Sequence, residues 1–168
     1  MTLKLHVGCG TKKLEGYVNC DIAKDVNPDV VVDICALSKK FKKKSVDEIL
    51  TEHMLEHVDD FVKAMKEIHA VLKKGGKAHI VVPYATIPSA FHPHHKWYFT
   101  KESFSPFHKD NSLRYYYDFH FSSVKTKIVF SRQMFFMTKL ANKMTWLYEN
   151  SGLAWLFPAK ELHVELTK

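Results

Sequence analysis

LKLHVGCGTKKLEGYVNCDIAKDVNPDVVVDI, residues Leu3–Ile34, contains three short apolar runs, each ending in a turn or an acid. Leu3–Val7 runs into Gly8-Cys9-Gly10, Tyr17–Ile22 carries Asp21, and Val30–Ile34 carries Asp33. Runs of this length, rich in Val, Ile and Leu and bounded by Gly, Asp and Lys, read as strands. Two glycines directly after a strand allow a tight turn and let a ligand approach bare backbone. Asp21 at the second strand's end can accept both hydroxyl hydrogens of a ribose, and Asp33, closing the third, can reach an adenine amino group. A fourth strand, Val46–Thr51, leads to His53. Gly8, Asp21, Asp33 and His53 therefore fall at the carboxyl ends of successive strands, the edge where open parallel sheets bind ligands.

Outward from this core, Phe61, Met65, Ile68 and Leu72 recur at helical spacing. Asp59 or Asp60 can cap that helix and Gly75-Gly76 can end it before a fifth strand, Lys77–Pro83. Strand, helix, strand implies a parallel pair with a right-handed crossover. Val124–Ser131 and Glu161–Thr167 read as two more strands around an amphipathic helix near Gln133–Asn150, where Met134, Met137, Ala141, Met144 and Tyr148 share a face. The expected class is α/β, with a mostly parallel sheet of about seven strands. Gly8 and Asp21 are 13 positions apart, and Asp21 and Asp33 only 12. Nucleotide-binding units usually place the acid ~20 residues on, so the first crossover helices are expected to be shortened or missing. In the first strand Leu3, Leu5 and Val7 alternate with Lys4 and His6, the pattern of a sheet bare on one face. Tyr84–His120, the aromatic tail or a second subunit in a homodimer is expected to cover that face.

The 168 residues are 46% apolar, enough for one core, and no linker or repeat divides 1–168, which reads as a single domain. Apolar stretches such as Ile80–Ala85 and Leu153–Ala159 fall short of the ~20 residues a membrane span needs. The start reads as a strand entering a glycine turn rather than a secretory signal, so a cytoplasmic location is expected. Three cysteines without a C-x-x-C pair read as reduced thiols. Net charge is +7, but Arg114 and Arg132 are the only arginines. Nucleic-acid readers lean on Arg, so nucleic acid is disfavoured, and an anionic cofactor, glycan or lipid headgroup suits the balance. The run Lys39–Lys44 reads as a solvated loop. Phe135, Phe136, Trp146, Trp155 and Phe157 leave the late helical region apolar on more than one side, compatible with peripheral membrane contact.

VDEILTEHMLEHV (Val46–Val58), then a helix and VLKKGGKAHIVVP (Val71–Pro83), resembles class I S-adenosylmethionine-dependent methyltransferases. In that family a strand ending in a short H-x-L-E-H segment precedes a helix, a V-L-K-P-G-G turn and the fifth strand. LHVGCG (Leu5–Gly10) resembles the family's first motif, HPHHKWYFTKESF (His92–Phe104) a D-P-x-H-x-x-x-F-T-x-x-S-F signature of one branch, and ELHVEL (Glu161–Leu166) the last strand. The resemblance implies a Rossmann-like fold and S-adenosylmethionine as cofactor, held by Gly8, Cys9, Gly10, Asp21, Asp33, Ile34, Glu52 and His53. It further implies methyl transfer to a small-molecule, glycan or lipid-linked acceptor, with oxygen favoured. Residues 84–120 would form an acceptor-side insertion or lid, placing His95 and Tyr98 toward the methyl, and His53 and His95 are the candidate bases. A third glycine is missing from the first motif, and Lys74 replaces the proline of the glycine turn.

Other classes fit less well. H-x-x-E-H also marks a class of zinc peptidases, but that chemistry needs both histidines within one helix, and here a strand ends just before His53. Ubiquinone-pathway and small-RNA methyltransferases carry a similar E-x-x-E-H segment that binds a divalent metal. His53 stands where their first Glu would be, so no metal is expected, and Glu56 and His57 read as helix-packing residues. A dinucleotide oxidoreductase lacks its full G-x-G-x-x-G here. A DNA methyltransferase would show an Asp/Asn-Pro-Pro-aromatic segment where Thr51-Glu52-His53 stands. The remaining alternative is a catalytically inactive cofactor-binding module acting through protein interaction.

Overall fold

The computed structural model describes residues 2–168. Seven strands form one mixed sheet: β1 (Lys4–Val7), β2 (Val18–Asp21), β3 (Val30–Val31), β4 (Val46–Glu52), β5 (Leu72–Pro83), β6 (Ser123–Val129) and β7 (Glu161–Thr167). Their order is β3-β2-β1-β4-β5-β7-β6. The first five pair in parallel, while β7 runs antiparallel between β5 and β6. Between β1 and β2 no helix forms and between β2 and β3 the crossover shrinks to the 3-10 turn Lys24–Val26, as the short spacings require, and the β3–β4 crossover is the short 3-10 segment Ile34–Lys39. Asp33 lies two residues beyond β3 rather than closing it, and its side chain caps the second turn by accepting from Cys35 N.

The α1 helix (Phe61–Val71) starts where Asp60 accepts from Lys63 N, and it buries Phe61, Ala64, Met65, Ile68 and Val71. It ends earlier than expected. Leu72 is already extended and pairs with Val46, so Gly75 and Gly76 lie inside β5, at an irregularity in its pairing with β4, and not at a helix cap. Complete burial of Leu72 and the Lys168 Nζ bonds to the carbonyls of His69 and Leu72 fix this early turn.

The helix expected over Gln133–Asn150 is broken at Met144 into α2 (Phe135–Lys143) and α3 (Thr145–Asn150), followed by the short α4 (Leu153–Leu156). The break lets Tyr148 bury its ring while its hydroxyl donates to Phe157 O and accepts from Ala159 N. Segment 84–120 does not cover the polar face of the sheet. Its Phe99, Phe104 and Phe107 pack around Phe61 of α1 at 5.2–5.7 Å between ring centroids, on the apolar side. On the opposite face cross-strand ion pairs take over, with Lys4 to Glu48 and Lys77, His79 and Lys125 all to Glu165.

Candidate active site

At the carboxyl ends of β1, β2 and β4 lies a cleft of about 470 Å³. Gly8, Gly10, Asp21, Asp33 and Ile34 line one part of its wall, and His53, Met54 and His57 another. Glycine is required at the first loop position and favoured at the second. Gly8 has φ +74, and a Cβ there would sit 2.4 Å from Met54 Cγ. Gly10 has φ +50 with open space above it. Asp21 ties the loop to the sheet edge, its Oδ2 accepting from Gly10 N at 2.8 Å and its Oδ1 from Ala23 N at 2.9 Å. Each oxygen retains a lone pair for a ligand hydroxyl. Asp33 uses only Oδ1 in its cap, leaving Oδ2 for a donor. Exposed Ile22 and buried Ile34 add apolar surface beside these two carboxylates. Paired acids, apolar flanks and bare glycine backbone form a donor and acceptor set that fits an adenosine-type cofactor.

Beyond β4 the chain turns sharply, and His53 adopts φ +50. Its Nδ1 is 3.6 Å from Glu56 Oε1 and its Nε2 is 3.4 Å from Glu161 Oε1. The Glu56 carboxylate raises the His53 pKa; burial opposes this, and Glu161 adds to the rise. Burial would lift the Glu161 carboxyl, but bonds from Lys160 and His163 outweigh it and hold it down to about 2. Glu56 is 1% exposed and neither of its carboxylate oxygens has a hydrogen-bond partner among the described residues. Its backbone carbonyl accepts from Lys96 N, and Trp97 Nε1 donates to Val58 O, so segment 84–120 is pinned to this turn. That pinning sets the His95 ring edge-on to His57, at 4.6 Å between centroids. Glu56, His57 and His95 can each bring one ligand atom within 4.8 Å of the others, a donor set of a kind divalent cations take.

The structure brings Gly8, Gly10, Asp21, Asp33, Ile34 and His53 to one cleft. His95 stands one ring behind its wall. Tyr98 is half-exposed against Phe91, at 5.2 Å, and does not line the cleft. Cys9 is buried below the loop, and burial raises its thiol pKa. Glu52 turns to Lys12, at 2.6 Å, bracing the glycine loop from outside. Sequence reading missed Ile22, Met54, Asp60 and Lys63 as lining residues, and Glu161 as the second carboxylate on His53. Asp60 and Lys63 carried a signal as the cap of a helix that starts beside the site. Glu161 carried none, since only the antiparallel return of β7 brings it near.

Residues 5–80 match the family model described as "Methyltransferase domain". No curated protein gives a match. Among solved structures, an S-adenosylmethionine-dependent methyltransferase from Archaeoglobus fulgidus superposes with a TM-score of 0.68 at 18% identity, covering 99% of this chain and 86% of that one. A Haloferax volcanii complex of the Trm112 methyltransferase activator with a methyltransferase gives 0.62 at 14% identity, covering 99% and 81%. Phosphoethanolamine N-methyltransferase 2 of Haemonchus contortus, solved with S-adenosylhomocysteine, gives 0.61 at 15% identity, covering 100% of this chain and 50% of that one. These likenesses carry the fold, and the family match covers the strands that build the cleft. Over residues 5–80, a little under half of the chain, the protein is similar to methyltransferase domains, and its fold is the one S-adenosylmethionine-dependent methyltransferases share.

Proposed function

We propose that the protein transfers a methyl group from S-adenosylmethionine to a hydroxyl of a small-molecule, glycan or lipid-linked acceptor. The carrying observation is the shared cleft, where Gly8, Gly10, Asp21 and Asp33 meet His53 and His57. S-adenosylmethionine supplies an activated methyl and its own leaving group, so the chain's task is alignment and proton handling. Asp21 binds ribose hydroxyls while holding Gly10 in place, and Asp33 with Ile34 receives the adenine. His53, wedged between Glu56 and Glu161, takes the acceptor proton, and the two carboxylates stabilise the imidazolium formed. His95 acts from the acceptor side, and residues 84–120 form the lid over it, with Tyr98 and the half-exposed ring of Phe91 at the entrance.

Calorimetric titration with S-adenosylhomocysteine, against NAD as comparison, tests the cofactor half. Micromolar binding of the first alone is expected. Asp21→Ala should weaken it at least about tenfold for each ribose bond lost, at ~1.5–3 kcal/mol per charge-assisted bond. Unchanged affinity would remove Asp21 from the site. His95→Ala should leave that affinity intact while lowering transfer by about two to four orders of magnitude. Equal activity would overturn the role of His95, and binding without product from any hydroxyl acceptor would favour an inactive binding module.

A further inference from the structure

The α2–α4 region inverts the usual pattern of a docked helix. Met137 and Ala141 of α2 face the core, Asn142 bonds the backbone of β6 at Ile128 and Thr138 that of Phe130 just after the strand, so the inner side is sealed. The outer side, where charge is normal, presents Phe135 (72% exposed), Phe136 and Leu140. Trp146 of α3 is 76% exposed and Trp155 of α4 is 66% exposed, with Leu156 beside it. Single exposed apolar residues need no explanation, but large aromatic rings on three consecutive helices do.

Charge supplies the second observation. From Arg132 to Ala159 the chain carries Arg132, Lys139 and Lys143 against one acid, Glu149. That acid is turned inward, its Oε1 accepting from Tyr84 OH and Lys101 N. The exposed rings are therefore mixed with cations and with no outward carboxylate. Interfaces between proteins deplete lysine at their apolar centres. Aromatic rings interspersed with Lys and Arg are the composition that settles at the boundary of acyl chains and anionic headgroups. Lys139 and Lys143 are long enough to reach phosphate while their stems lie along the apolar surface.

We propose that the α2–α4 face docks on an anionic lipid bilayer, with the rings of Phe135, Phe136, Trp146 and Trp155 inserted at headgroup depth. The surface continues to the proposed acceptor side. The Trp155 ring stacks on Phe91 at 6.4 Å, and Phe91 packs on Tyr98 of the segment that carries His95. Docking does not depend on methyl transfer, and it would present the cleft to a lipid-linked acceptor.

The full chain is mixed with vesicles of phosphatidylcholine alone or with phosphatidylserine added, and the bound fraction is read by sedimentation and by tryptophan emission. Binding to the anionic vesicles, a blue shift and weakening with added salt are expected. Phe136→Ser with Trp146→Ser should lower vesicle affinity at least about tenfold, and Lys139→Gln with Lys143→Gln should remove most of the salt dependence. All four residues are exposed, so unchanged melting curves would keep loss of fold from mimicking the result. No binding to phosphatidylserine vesicles at low salt would overturn the proposal. So would a dimer in sedimentation velocity that Phe136→Ser dissociates while vesicles stay unbound, because the face would then belong to a second copy.

Discussion

His53 draws its chemistry from its neighbours more than from its own side chain. An exposed histidine titrates near pH 6.5. Here Glu56, buried and without a hydrogen-bond partner among the described residues, stands at one ring nitrogen and Glu161 at the other, and the His53 pKa is raised. A base with a raised pKa is active only when deprotonated, so transfer should increase as pH rises through that value. Glu161→Gln keeps the shape and removes one anion. The His53 pKa must then fall toward its ordinary value, and the acidic limb of the rate profile should move to lower pH. An unmoved limb would show that His53 is not the titrating base. Of this arrangement the sequence offered His53 as a candidate base, while Glu56 and His57 read there only as helix-packing residues. It did not reveal Glu161, which lies 108 positions from His53 and meets it only because β7 returns antiparallel beside β5.

Local pattern reported the elements well where an apolar period was unopposed. Strands β1, β2, β4, β6 and β7 fall close to their expected runs, whereas β3 shrinks to Val30–Val31 and β5 starts five residues early at Leu72, and the 13- and 12-residue spacings foretold the missing first helices. It failed where a tertiary contact outweighed local propensity. Gly75-Gly76 resembles a helix stop, yet buried Leu72 and the Lys168 ammonium end α1 first. The Met stripe of residues 134–148 resembles one helix, yet burial of Tyr148 needs the break at Met144. A sheet edge explains the placement of α2. As the outermost strand, β6 would leave backbone groups unpaired, a liability for edge pairing. Asn142 supplies both partners to Ile128, accepting from its N at 2.9 Å and donating to its O at 2.7 Å. Asn142→Ala strands both groups on a part-buried edge, so we expect a loss of ~1–3 kcal/mol, read as a lowered denaturation midpoint at unchanged slope. Asn142→Asp, which keeps the acceptor alone, should fall between the two.

Across the whole molecule, the family match ends at residue 80, which raises the question of whether the parallel half stands alone. The core answers against it. Leu162, Val164 and Leu166 of β7 are at most 3% exposed, and they join one apolar cluster with Leu5, Ile49, Ile80 and Val82 from the parallel strands. Strand β7 bonds β5 along seven residue pairs, Lys77–Pro83 against Glu161–Thr167, and β6 along seven more. It is thus an inner strand made by the last residues of the sequence. Removing it would bare the full edge of β5, expose the β7-facing side of Ile80 and Val82, and release Lys168 from the end of α1. A chain ended after Lys160 should therefore show no cooperative unfolding in denaturant and no measurable affinity for S-adenosylhomocysteine, although Gly8, Asp21 and Asp33 are all retained. A cooperative transition with intact binding would instead mean that β1 to β5 with α1 fold independently, and that the antiparallel half is an acceptor-side addition to a self-sufficient cofactor domain.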